Sequence, residues 1–289
     1  MAKRKVISKK FSLKLNVFVG EALLFLLTQL LGLAVVLKTK QNLSNITQQL
    51  PDVSWLSFLI YFALGTLLIL VFLRLARKKS GAFFNIVFAL AIFSGSQVIF
   101  SLIMPDLWAM FCAALLVVLR FLRPSIVIQN LTMVLAIAGL GATIGLSLSL
   151  FSALIILMVL SIYDFIAVYK TGHMIKMAKQ MMDSKSLLAF VVPQTLVGYK
   201  DNLSKIKVGQ GQVFILGSGD VVMPLIAIAA ASRLSIWHSL IVLLFAFLGL
   251  IFMHLIFSSQ SVRRPMAALP PIALLTIIGI FVSMVVLGA

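Results

Sequence analysis

Two aspartates are the residues with the most chemistry to offer: Asp164 in "SIYDFIAVYK" (161–170) and Asp220 in "ILGSGD" (215–220). Both fall inside apolar runs that read as membrane spans. A carboxylate at that depth costs roughly 2.5–3.5 kcal/mol on insertion scales, so it marks a functional position by default. Asp164 lies six residues before Lys170, and Asp220 lies six residues after Phe214. With both stretches helical at about 1.5 Å per residue, each acid sits roughly 9 Å below the same membrane face. Two carboxyls in contact cannot both ionise cheaply, so such a pair holds one proton between its members. The ionised member takes a proton from water while the protonated one polarises a carbonyl. That is hydrolysis without metal, serine or cysteine. A proton-relay pair in a transporter also places acids at membrane depth, and spacing alone leaves the two readings level.

Gly217 and Gly219 precede Asp220 and let another chain approach the backbone closely. Irregular backbone at this depth is tolerated only where protein covers it or where it lines a water cavity, as hydrolysis requires. "QVFILG" (212–217) is β-prone and lies just ahead of the acid. Pro265, Pro270 and Pro271 interrupt a later span and leave carbonyls without their usual donors. Unwound backbone of this kind is suited to pairing with an extended substrate by strand addition.

The elements that must hold these residues are membrane helices. The chain has 289 residues, of which 62% are hydrophobic and only 11% charged. A soluble domain could not hide that much apolar surface. Hydropathy and charged breaks predict spans near 15–37, 55–73, 83–104, 107–122, 126–146, 150–169, 214–232, 237–257 and 267–288. The fold class is an all-α polytopic membrane protein of about nine transmembrane helices, forming a single membrane-embedded domain over 1–289. One long connection, 170–213, joins spans six and seven. With the N-terminus inside, 21 of the 24 Lys and Arg fall on the cytoplasmic side and only Lys38, Lys40 and Arg233 opposite. The positive-inside rule then gives N-in and C-out, with the long connection cytoplasmic. The net charge of +17 is distributed next to spans, as topology-setting and lipid-facing charge, and does not point to nucleic acid.

Three motifs in order resemble one known family. "SIYDFIAVYKTGHMIKMA" (161–178) is similar to the Tyr-Asp sixth helix of presenilins and signal peptide peptidases, "LGSGD" (216–220) to their Gly-x-Gly-Asp seventh helix, and "AALPP" (267–271) to their Pro-Ala-Leu ninth helix. The likeness extends over nearly the whole chain and is greatest to an archaeal presenilin homologue. It implies an intramembrane aspartic endopeptidase that hydrolyses peptide bonds within transmembrane segments, of presenilin-like fold. Asp164 and Asp220 would be the catalytic dyad, with Tyr163, Gly217 and Gly219 lining the site. Ala268, Leu269 and Pro270 would bind substrate. Ala267 stands where the family usually has proline. A prepilin-type peptidase shares Gly-x-Gly-Asp but not the other two motifs. The alternative from another class is a proton- or cation-coupled transporter, which often shows paired helix interruptions in its two halves; none is seen here.

The remaining features are quieter. Glu21 lies about six residues into the first span, either facing a polar cavity or snorkelling toward the inner interface, and a structural role is expected for it. His173, His238 and His254 are far apart in sequence and form no metal site, and the single Cys112 excludes a disulfide framework. No cofactor is implied. "GHMIKMAKQMMDSKSLL" (172–188) reads as an amphipathic helix at the inner interface. Asn42 and Asn45 head N-x-S/T sequons on the outer side. The partners expected are transmembrane substrates, the lipid bilayer and, as an open option, further copies of the chain. The expected location is the plasma membrane, as a multi-pass protein.

Overall fold

The computed structural model describes residues 15–46, 53–75, 80–171, 187–194, 198–199, 201–203, 213–260 and 266–288. Nine α-helices run along them: α1 (Leu15–Ile46), α2 (Trp55–Leu75), α3 (Ser80–Phe100), α4 (Asp106–Leu122), α5 (Ile126–Leu146), α6 (Leu150–Ile166), α7 (Ser218–Ala231), α8 (Ile236–Ser259) and α9 (Leu269–Leu287). A π-helical turn, Ala167–Thr171, extends α6, and two strands, β1 (Ala189–Pro193) and β2 (Val213–Gly217), precede α7. Serines set several helix starts. The side chains of Ser125, Ser149 and Ser235 accept the N–H of Ile128, Ser152 and His238, which satisfies donors the helix itself leaves open.

Six helices among the described residues are long and apolar enough to cross a bilayer: those beginning near Asn16, Ala82, Ile126, Leu150, Ile236 and Leu269. Helix α7 is different. Its 14 residues span about 21 Å, short of a hydrocarbon core of roughly 30 Å. It is apolar on all sides because it is surrounded: α1, α5, α6, α8 and α9 all pack against it, and Ile226–Ala231 are almost fully buried. Elsewhere small residues let helices close up. Gly95 of α3 and Gly139 of α5 meet backbone to backbone, so a Cβ at either would run into the other helix.

The structure departs from the sequence expectation in three places. Span seven does not begin as a helix at 214. Val213–Gly217 is a strand, and the helix starts at Ser218. The apolar run "VFILG" suits either state, and pairing with β1 decides for strand. Counting helical rise from Phe214 to Asp220 therefore does not apply. The connection 170–213 also contains structure of its own, since β1 lies within it with all five residues buried. The first helix continues to Ile46, past the expected end at 37, because nothing breaks it before Pro51. Asn42 and Asn45 thus lie on a helix. Most of the expected amphipathic stretch, 172–186, lies outside the described residues.

The longer α1 has a use. Lys40 Nζ donates to the carbonyl of Ser232 at the end of α7 (2.5 Å), and the Arg233 guanidinium donates to the carbonyl of Leu146 at the end of α5 (3.2 and 3.3 Å). Cations are favoured at helix C-termini, where carbonyls lack partners. Two of the three cations assigned to the outer face are thereby tied to helix ends.

Candidate active site

The two strands pair antiparallel, with Ala189 opposite Gly217 and Pro193 opposite Val213. Ser218 N–H donates to Leu188 C=O (3.2 Å). That bond flanks the Ala189–Gly217 pair and makes it a non-hydrogen-bonded one, so the N–H and C=O of Gly217, Ile215 and Val213 face away from β1. The Gly217 N–H turns to Asp220, whose carboxyl accepts it. Gly217 is the N-cap of α7 and Asp220 its third residue, so this is one half of a capping box, with the acid reaching back to the cap. Asp220 thus stands in the first turn of α7. The fit requires glycine. A Cβ at 217 would fall 2.9 Å from Asp220 Oδ2, whereas a Cβ at Gly219 would enter open space.

Asp164 sits two residues before the end of α6, just ahead of the π turn, and is 7% exposed. Helix α9 packs against both α6 and α7. Its first residue, Leu269, is buried and donates its backbone N–H to the Asp164 carboxyl. That N–H is one of the donors a helix start leaves without an internal partner. Pro270 and Pro271, which follow, have no N–H to compete. Asp164 Oδ2 makes no hydrogen bond among the described residues. The two carboxyls lie close enough to interact through their charges. Each acid is thus held by one backbone N–H, from Leu269 or from Gly217.

The sequence-derived residues therefore divide. Asp164, Asp220, Gly217 and Leu269 come together in one buried place. Ala267 is buried beside Leu269, while Ala268 and Pro270 are half-buried at the start of α9. Tyr163, next to Asp164 in the chain, is 57% exposed.

Sequence reasoning left the partners of other polar groups unassigned. Glu21 is fully buried and hydrogen-bonded to Nδ1 of His254 on α8, whose ring also meets Phe18 (5.0 Å) and Phe214 of β2 (6.5 Å). Glu21 is enclosed by protein, and nothing in the spacing of residues so far apart signals the pair. Gln29 of α1 donates to the carbonyl of Val221, one residue past Asp220 (3.0 Å). Gln129 and Asn130 of α5 bond to β1. Adjacent amides in an apolar span were a readable signal, because buried polar groups need partners. Outside the spans, burial pushes the phenol of Tyr199, which packs with β1, above its ordinary range. No cluster of three metal-ligating side chains occurs among the described residues.

Two buried acids lie within electrostatic reach of each other where α6, α7 and α9 meet, each on a backbone N–H, an arrangement suited to aspartyl hydrolysis. Residues 22–289 match the model of the family described as signal-peptide peptidase, presenilin aspartyl protease, and the chain belongs to that family. Its function is that of an intramembrane aspartyl protease acting within the membrane; the transporter alternative has no support. Two solved structures of a presenilin family intramembrane aspartate protease share the fold. One, in space group C222, is 22% identical with a TM-score of 0.61, over 91% of this chain and 95% of that one. The other, in space group P2, is 22% identical with a TM-score of 0.65, over 93% of this chain and 97% of that one. The comparison with curated proteins found no match.

Proposed function

We propose that Asp164 and Asp220 are the catalytic dyad of this protease, and that its substrates are transmembrane segments that unwind and pair with β2. The observation that carries the reading is the anchoring of both acids: Leu269 N–H on Asp164, Gly217 N–H on Asp220, and the two carboxyls within electrostatic reach. One dyad carboxylate takes a proton from water as the water oxygen bonds to the substrate carbonyl carbon. The protonated partner gives its proton to the carbonyl oxygen, producing a gem-diol. Collapse returns a proton to the dyad, transfers one to the amide nitrogen and breaks the C–N bond. The two carboxyls titrate as a unit, so both roles belong to the pair.

A helical substrate hides its peptide bonds inside its own hydrogen bonds. The outward N–H and C=O groups of Val213 and Ile215 offer replacements, since these residues face away from β1. A strand bound there would run toward Gly217 and the dyad. Gly219, Ala268, Leu269 and Pro270 would form the approach, with Tyr163 at its outer margin. Residues 1–289 form one membrane-embedded domain, N-terminus inside, in the plasma membrane.

The test is purified protein in detergent with a membrane-spanning reporter peptide, and products identified by mass spectrometry. Cuts inside the apolar stretch are expected. Intact peptide, with solute-dependent proton flux in liposomes instead, would overturn the assignment.

A further inference from the structure

β1 has two edges, and only one pairs with β2. The outward groups of the other edge belong to Leu187, Ala189 and Val191, by the same alternation that turns Ile215 and Gly217 away on β2. These groups are met by side chains from α5. Gln129 Nε2 donates to the carbonyls of Leu187 (2.6 Å) and Ala189 (3.0 Å). Asn130 Nδ2 donates to Val191 C=O (2.8 Å) and its Oδ1 accepts Val191 N–H (2.9 Å). Two adjacent amides thus reproduce the hydrogen bonds of a third strand. The following position, Pro193, has no N–H to offer.

The orientation of Gln129 is set from behind. Arg120 of α4 is 1% exposed, lies 5.3 Å from the ring centre of Phe88, and donates through Nε to Gln129 Oε1 (2.7 Å). A guanidinium has donors and no acceptor, so the amide oxygen must face it and the NH2 must face the strand. Arg120, Gln129 and Asn130 therefore form one buried polar chain from α4 through α5 to the edge of β1.

We infer that Gln129, held by Arg120, and Asn130 are positioning residues that close the outer edge of β1 and so fix the register in which substrate adds to β2. The inference rests on the strand-pairing reading above. With the β1 edge occupied, the open backbone of the two described strands is that of β2, whose outward groups lead to Gly217 and Asp220. The ladder from Ala189–Gly217 to Pro193–Val213 transmits the position of β1 to β2. Strand side chains alternate with period two, so a loosened sheet slips by two residues, or about 6.6 Å of strand. The scissile bond presented to the dyad would shift by the same two residues.

The discriminating variant is Gln129→Glu. Its carboxylate keeps a partner for Arg120 but cannot donate to Leu187 and Ala189. Kinetics are normalised to the amount of enzyme titrated by a tight-binding aspartyl-protease transition-state mimic. Expected are a KM raised at least fivefold with kcat within twofold of wild type, and product ladders with new cuts two residues from the main one. If too little titratable Gln129→Glu protein is obtained, Asn130→Ser, which leaves the Arg120–Gln129 contact in place, carries the same expectation. In parallel, wild-type enzyme is given substrates N-methylated at single backbone positions. Alternating sensitivity to N-methylation, together with wild-type KM and ladder in the variants, overturns the clamp alone. Lowered thermal stability without any change in KM or ladder does the same. Indifference to N-methylation at every position overturns strand pairing, and the clamp with it.

Discussion

The backbone N–H of Leu269, at the first turn of α9, is hydrogen-bonded to the carboxyl of Asp164 on α6. This one bond ties the Ala-Leu-Pro segment to the proposed dyad. It gives Leu269 a role that does not depend on its side chain. A hydrogen bond to a charged group contributes about 1.5–3 kcal/mol, roughly 10- to 150-fold. Leu269→Pro deletes the donor and should lower kcat by about that factor. Leu269→Ala keeps the donor and should lose mainly stability, by leaving a cavity where a buried side chain was. Steady-state kinetics on the two variants, beside thermal unfolding in detergent, separate the effects. Equal kcat in both would remove the hydrogen bond from the account.

Gly217 and Gly219 flank the same acid, yet the structure treats them differently. A methyl group at 217 would stand 2.9 Å from Asp220 Oδ2, and one at 219 would touch nothing within 4 Å. Gly217→Ala should displace the carboxyl and lower kcat at least about tenfold, since misplacement of a reacting group by about 1 Å is that damaging. Gly219→Ala should leave unfolding temperature and inhibitor affinity near wild type. Its effect belongs in KM, because the open space beside it is where substrate would pass. A loss of thermal stability in Gly219→Ala would contradict this.

Glu21 and His254 bind α1 to α8 in the protein interior, with Phe214 of β2 against the imidazole. Removing one member of a buried pair strands the other without a partner, at a cost of about 3–5 kcal/mol. Glu21→Leu should therefore destabilise strongly. Glu21→Leu combined with His254→Leu should be the more stable of the two, because neither polar group remains. Denaturant unfolding in mixed micelles measures the difference. If the single and double variants are equally unstable, the pair is not coupled.

Much of the site was readable from residue type alone. Acids at membrane depth are so costly that Asp164 and Asp220 stand out from the apolar sequence around them. The family likeness marked Leu269 as a substrate-binding residue, while its bond to Asp164 was not readable, because a backbone donor has no side-chain signature. Helix α7 was misjudged at its start because "VFILG" is as apolar as the helix after it, and pairing with β1 is a tertiary choice. β1 itself is five residues inside a polar connection, too short for periodicity to declare it. Glu21 stood out as an acid within a span, but its partner could not be read because it lies 233 positions away.

Topology follows from charge. With 21 of the 24 Lys and Arg on one side, the N-terminus and the connection 170–213 are expected to face the cytoplasm. Lys40 and Arg233, assigned to the opposite side, cap helix ends there. Single cysteines at Ser44 and Ser204, in a background with Cys112 replaced, should react with an impermeant reagent from opposite faces of sealed vesicles. Labelling of both from one face would refute the nine-span arrangement.

The last expectation concerns the two acids together. If Asp164 and Asp220 share a proton, only the singly protonated pair is active. Hydrolysis then requires pH above the first macroscopic pKa of the pair and below the second, so kcat/KM against pH should be bell-shaped. Asp164→Asn and Asp220→Asn should each lower kcat by more than about a thousandfold, as loss of one member of a catalytic unit does. An amide can neither accept a proton from water nor return one to the leaving nitrogen. Both variants should remain folded, because a neutral isostere removes the repulsion between like charges that the wild-type pair carries when fully ionised. A hydroxyl-bearing transition-state mimic should bind wild type and lose most of its affinity for either variant, since its hydroxyl is held only by a carboxyl pair. The measurements are pH-resolved turnover of the reporter peptide and inhibitor binding by displacement. A sigmoidal profile with a single pKa, together with full inhibitor affinity in Asp220→Asn, would mean that one acid works alone.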